Sequence, residues 1–173
     1  KEAWNNLKSN IVDHSAPTIY GTIAGFGAYG TNNAAPTINA KDVKIKIEVG
    51  TTDDFNDPRG MLIYAGANYF GENIDINLIT NSKPKASEII GLEYGTSYSN
   101  VTRAYNSTMD VNNVNIKIEN NQVLTTNNDD NAIIGLWQSG DKNQNTHFIS
   151  RGNLNIDIND KSDKAQYHTA AGI

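Results

Sequence analysis

The chain has no cysteine, so no disulfide framework braces it. Charged residues fill only 19 % of its 173 positions, aromatic residues only 8 %, and the formal charge is −5. That mild acidity lacks the basic stripe a nucleic-acid-binding surface requires. Histidine is scarce: His14, His147 and His168 are the full set. None stands in a motif with a matched Ser and Asp, and no Gly-x-Ser-x-Gly elbow occurs, which argues against a nucleophilic hydrolase. No apolar run is long enough for a signal peptide or a membrane span. Leucine is also short, with 7 residues against 20 isoleucines. That balance disfavours a helical bundle and favours strands.

What the chain has in excess is asparagine, 26 residues or about 15 %. Asparagine beside Gly, Ser, Thr and Asp is turn chemistry. Between the turns a motif recurs: Val43-Lys44-Ile45-Lys46-Ile47, Ile74-Asp75-Ile76-Asn77-Leu78, Val114-Asn115-Ile116-Lys117-Ile118 and Leu154-Asn155-Ile156-Asp157-Ile158. Each copy alternates apolar and polar, the period of a strand with one buried face. A second motif interleaves with it: Ile89-Ile90-Gly91-Leu92, Ile133-Ile134-Gly135-Leu136 and Ala170-Ala171-Gly172-Ile173, with looser copies at Ala24-Gly25-Phe26-Gly27 and Met61-Leu62-Ile63-Tyr64. Anchors drawn from both motifs fall near every 20 residues. The step from Ile63 to Ile74 is the exception.

A sandwich has no reason to repeat its sequence, and a propeller blade would carry a turn signature that is missing here. A solenoid accounts for the repeat. Strands stack on equivalent strands, apolar residues line the inside and Asn ladders form at the corners. The spacing predicts an all-β fold: a right-handed parallel β-helix of about eight coils, each near 20 residues, forming a rod near 40 Å long at about 4.8 Å per coil. Residues 1–173 read as one such segment. The chain opens on Lys1-Glu2-Ala3-Trp4 and closes on Ala171-Gly172-Ile173, in the middle of a pattern, so a longer protein is expected around it.

The alternating Val-Asn-Ile-Lys-Ile and Ile-Ile-Gly-Leu copies, with Asn-rich turns, resemble the passenger region of a Gram-negative (type V) autotransporter from about Ile19 to Ile173. The resemblance implies an extracellular location on the bacterial surface and an adhesin-like role. The partner would be a host surface protein or glycan, or a neighbouring bacterial cell. It implies no cofactor, and the family's membrane barrel and signal peptide are not matched. Two other readings stand beside it: a polysaccharide-degrading β-helix enzyme, and a purely structural stalk.

Candidate groups were weighed on that frame. For an enzyme, Asp75, Asp110 and Asp157 with Arg103 or Arg151 would supply the carboxylates and the base. Asp75 and Asp157, however, are polar simply by strand alternation. Asp53, Asp54 and Asp57, and Asp129 with Asp130, offer hard oxygen ligands but lack calcium-loop spacing. They read as solvated turns, and no catalytic or metal site is expected. For binding, Tyr94, Tyr98, Arg103 and Tyr105 fall between Leu92 and Val114, where extra residues would leave the coil as a loop. Tyrosine supplies broad contact at low entropic cost, and Arg103 suits an acidic or planar group.

Overall fold

The structure, a computed structural model, describes residues 4–5, 8–13, 23–29, 36–49, 58–64, 67–81, 88–95, 106–121, 131–139, 145–161 and 168–173. Twelve strands account for nearly all of them: β1 (Trp4–Asn5), β2 (Lys8–Asp13), β3 (Ile23–Tyr29), β4 (Thr37–Val49), β5 (Pro58–Tyr64), β6 (Asn68–Thr80), β7 (Glu88–Gly95), β8 (Asn106–Asn120), β9 (Asn131–Ser139), β10 (Asn145–Ser150), β11 (Leu154–Asp160) and β12 (His168–Ala171). The fold is all-β, and every pairing between these strands is parallel. One sheet has seven strands, with β1 and β2 both pairing β4, then β6, then β8, which pairs both β10 and β11. The other runs β12-β9-β7-β5-β3. From β2 onward the chain crosses from one sheet to the other at almost every step.

The four copies of the first motif lie in register. Ile45, Ile76, Ile116 and Ile156 form one column, flanked by Val43, Ile74, Val114 and Leu154 and by Ile47, Leu78, Ile118 and Ile158. The repeat length differs from the expected 20 residues. Each 20-residue step carries the chain into the opposite sheet, so hydrogen-bonded neighbours lie two steps apart. Asn73 reaches Asp42 across 31 residues, and Asn113 reaches Asn73 across 40. The stack therefore has five layers of two strands, not eight coils. At ~4.8 Å between strands it rises roughly 19 Å. The odd step at Ile63 has the same origin: Ile63 and Ile74 belong to different sheets. Ile63 pairs with Tyr94, and it is Met61 that aligns with Leu92.

Each long strand of the first sheet bends once. Asp42, Asn73 and Asn113 share a column and have φ of 52°, 52° and 60°. Asn and Asp tolerate this left-handed conformation better than other side-chain-bearing residues. The bend shifts the burial phase, so the interior residues step by three across it: Ala40 to Val43, and Val111 to Val114. Side chains hold the corner together. Asn73 Nδ2 donates to Asp42 Oδ1 at 2.7 Å, Asn113 Nδ2 to Asn73 Oδ1 at 3.2 Å, and the Asn153 N–H to Asn113 Oδ1 at 3.2 Å. This is the asparagine ladder expected at a solenoid corner.

The second sheet approaches the first through glycine. Gly25, Gly60, Gly91 and Gly135 occupy one column, and a Cβ on each would collide with Cγ2 of Ile45, Ile76, Ile116 and Ile156 respectively. The Ile-Ile-Gly-Leu motif thus carries Gly because an isoleucine from the facing sheet fills the space. Around this interlock pack Met61, Ile63, Ile89, Leu92, Tyr94, Ile133 and Leu136. Phe26 meets Tyr69 edge-on at 6.3 Å between ring centres. A polar column ends the strands: Thr80 Oγ1 donates to Asn120 Oδ1 at 2.8 Å, and Asn120 Nδ2 to Asp160 Oδ1 at 2.9 Å. In the last layer Leu154, Ile156 and Ile158 are only partly buried.

Two substitutions test this packing. Gly91→Ala should destabilise by about 1–3 kcal/mol through overpacking, and Ile116→Ala by about 2–5 kcal/mol through the cavity it leaves. Because the new methyl fills the space left by Ile116, the double variant should lose clearly less than the two losses combined. Additive losses in denaturant unfolding would refute the interlock. At the corner, Asn113→Ala should cost about 1–2 kcal/mol, and Asn113→Gly should recover part of that because glycine adopts positive φ without strain. Thermal unfolding of both variants measures the difference.

Candidate functional site

Beyond the corner, the outward residues of the first sheet form two parallel columns. One is Lys44, Asp75, Asn115 and Asn155; the other is Lys46, Asn77, Lys117 and Asp157. Strand alternation places them there, because their neighbours Ile45, Ile76 and Ile116 point into the core. Between the columns lies a groove of about 530 Å³. Its floor is main chain at the isoleucines, and it runs across the strands, along the stack.

The walls of this groove are largely self-satisfied. Asn115 Nδ2 donates to Asp75 Oδ1 at 2.9 Å, and Asn155 Nδ2 to Asn115 Oδ1 at 2.7 Å. Lys44 stands opposite Asp75, and Lys117 opposite Asp157. Lys46 pairs with Glu48 at 3.0 Å. Asn77 differs: its Oδ1 is buried and accepts no hydrogen bond.

A second hollow of about 340 Å³ lies before the corner, on the same sheet. Phe70 lines it, with the Lys41–Glu72 ion pair (2.9 Å) on one side and Asp110 on the other. Arg151 grips Asp110 with both arms, Nε to Oδ1 and Nη2 to Oδ2, each at 2.7 Å. The hydrogen bond from Arg151, aided by its charge, holds the Asp110 carboxyl below its ordinary 3.8. Glu119 is likewise held below 4.5, chiefly by the hydrogen bond from Lys161 and then by that from Asn121. In the second sheet, Arg59 meets Glu88 at 3.0 Å and also contacts Glu93, which is 1 % exposed.

The residues expected to bind do not assemble into a site. Tyr94 is not a loop aromatic. It lies in β7, 2 % exposed, with its ring 5.3 Å from that of Phe148. Burial pushes its hydroxyl up to about 12. Tyr98, Arg103 and Tyr105 fall outside the described residues, as do His14, Asp53, Asp54, Asp57, Asp129 and Asp130. Asp75 and Asp157 both line the groove but sit two strand spacings and one column apart. That is roughly 10 Å or more, beyond the about 5–9.5 Å that glycosidase carboxyl pairs span. Asp110 has Arg151, not a second carboxylate. Among the described residues, no three His, Asp or Glu gather as a metal site, and no helix is long and apolar enough to cross a membrane. The sequence reading missed Asn77 and the hollow at Phe70. Their signal was present, as the outward positions of the repeat, but it was read as plain solvated polarity.

A carboxylate whose folded pKa is depressed adds stability above its unfolded value and loses it as pH falls through the folded one. Asp110 should therefore support the fold at neutral pH and cease to do so as pH drops below about 4. The effect is small because the pair is exposed and screened. In thermal melts across pH, the gap between wild type and Asp110→Asn should narrow steadily on acidification. A gap that stays constant to the lowest pH would show that the Arg151 grip does not act this way.

No protein-family model, curated protein or solved structure matches the chain.

Proposed function

We propose that the chain is a segment of a right-handed parallel β-helix of the autotransporter-passenger type, displayed outside a bacterial cell, which binds host surface protein or glycan or neighbouring cells without covalent chemistry. The observation that carries this reading is the outward face of the first sheet. It is an unbroken, in-register array of Lys, Asp and Asn held on main chain whose hydrogen bonds are already made. Parallel strands joined by crossovers turn right-handed in nearly all proteins, which supports the hand.

The chemistry favours binding over turnover. A general acid needs a carboxyl whose pKa is raised toward neutrality. The carboxylates with altered values here, Asp110 and Glu119, are shifted the opposite way. Asp75 is engaged by Asn115. A stalk without a ligand is the second reading, favoured by the extent to which the ladders satisfy one another.

Beads coated with the chain should adhere to cultured epithelial cells, or to bacteria displaying the same chain, well above albumin-coated beads. Adhesion should fall for variants of the outward face or for Tyr98→Ala with Arg103→Ala, depending on which surface makes the contact. Absence of adhesion to any surface would leave the stalk. Release of sugars from a polysaccharide, abolished by Asp110→Asn, would establish the enzyme instead.

A further inference from the structure

We propose that the groove between the two outward columns of the first sheet binds an extended, uncharged, linear glycan lying along the stack. This rests on the surface-binding reading above and names its ligand class and site. Three observations lead to it.

The first is shape. The groove crosses four in-register strands, a length of roughly 14 Å, and its walls stand two residues apart on each strand, about 7 Å. A single polymer chain fits such a channel. It runs perpendicular to the strands, and the main-chain donors and acceptors of its floor are spent on the neighbouring strands. A bound peptide would therefore find no strand edge to pair with. The ligand has to be read by side chains alone.

The second is charge. Lys44 faces Asp75, Lys117 faces Asp157, and Lys46 is engaged by Glu48. The groove is electrically compensated rung by rung. An anionic polymer would meet Asp75 and Asp157, and a cationic one would meet the lysines. A neutral polyhydroxylated chain meets neither penalty, and its hydroxyls both donate and accept.

The third is Asn77. Its buried Oδ1 has no donor, and it sits mid-groove between Lys46 and Lys117 in register. An unpaired buried acceptor is costly, and a ligand hydroxyl would supply the missing donor. The repeat of an extended pyranose polymer is close to the strand spacing of ~4.8 Å. Successive sugars would thus meet successive rungs.

Calorimetric titration with cellohexaose and chitohexaose, both extended and neutral, tests the inference. Coiled maltohexaose and an acidic galacturonate hexamer serve as contrasts. The extended neutral chains should bind, and the two contrasts should bind more weakly. Asn77→Val should cut affinity about tenfold, the value of one hydrogen bond, with the melting temperature held. A second readout needs no variant: side-chain amide NMR signals of Asn77, Asn115 and Asn155 should shift on titration while that of Asn39, in the other hollow, stays. The inference is overturned if neither neutral chain binds, if the galacturonate binds more tightly, or if the shifts fall elsewhere. Beads that adhere while no neutral hexamer binds would sink the groove alone. Hexamer binding without bead adhesion would sink the adhesion reading and leave the groove standing.

Discussion

The structure depends on one steric fit, an isoleucine methyl from one sheet occupying the place where a glycine in the other lacks a Cβ. It recurs at Gly25 with Ile45, Gly60 with Ile76, Gly91 with Ile116 and Gly135 with Ile156. Each contact lets the two sheets approach closely enough for single side chains to fill the interior. Each also pins the register. A one-residue slip of a strand in the first sheet would turn its isoleucine outward and drive Lys, Asp or Asn against the glycine. Burying such a group unpaired costs far more than the slip returns. The alternation of two unlike motifs in the sequence is the trace of this interlock.

The polar columns obey a second constraint, set by parallel in-register stacking. Whatever stands at one position faces the same position one layer away, about 4.8 Å off. Like charges there repel, so the columns use either opposite charges, as in Lys44 with Asp75, or amides that donate and accept at once, as in Asn115 with Asn155. Asparagine is suited to both tasks the stack sets, because it also tolerates the left-handed corner at Asn73 and Asn113. Its abundance therefore needs no single binding role.

Much of the fold was legible before the structure. The four strand motifs aligned correctly because alternation marks which residues are buried, and the corner ladder followed from stacking. The layer count was not legible. Anchors from both sheets look alike in a one-dimensional pattern, so a step between sheets was taken for a step along one. Tyr94 was misplaced for a different reason. It lies two residues after Leu92 and so shares its face, but the length of the following segment suggested a loop. The corner left a readable mark, since Asp42, Asn73, Asn113 and Asn153 each stand directly before a copy of the strand motif. The unsatisfied Asn77 left none. Its neighbours in space come from strands 31 and 40 residues away, and no local pattern distinguishes it from Asn115.

The interlock and the groove are two faces of the same strands. Ile76 turns inward onto Gly60, and on either side of it Asp75 and Asn77 turn outward. Their directions are therefore fixed by the core packing, not by their own contacts. A surface held in this way loses little conformational freedom when something binds to it, because the main chain is already ordered. The same rigidity limits what the surface can recognise. It cannot close around a ligand or reshape itself, so recognition has to come from matching a fixed spacing. A repeating polymer meets that demand better than a compact molecule does, because each added unit meets another rung of the same ladder.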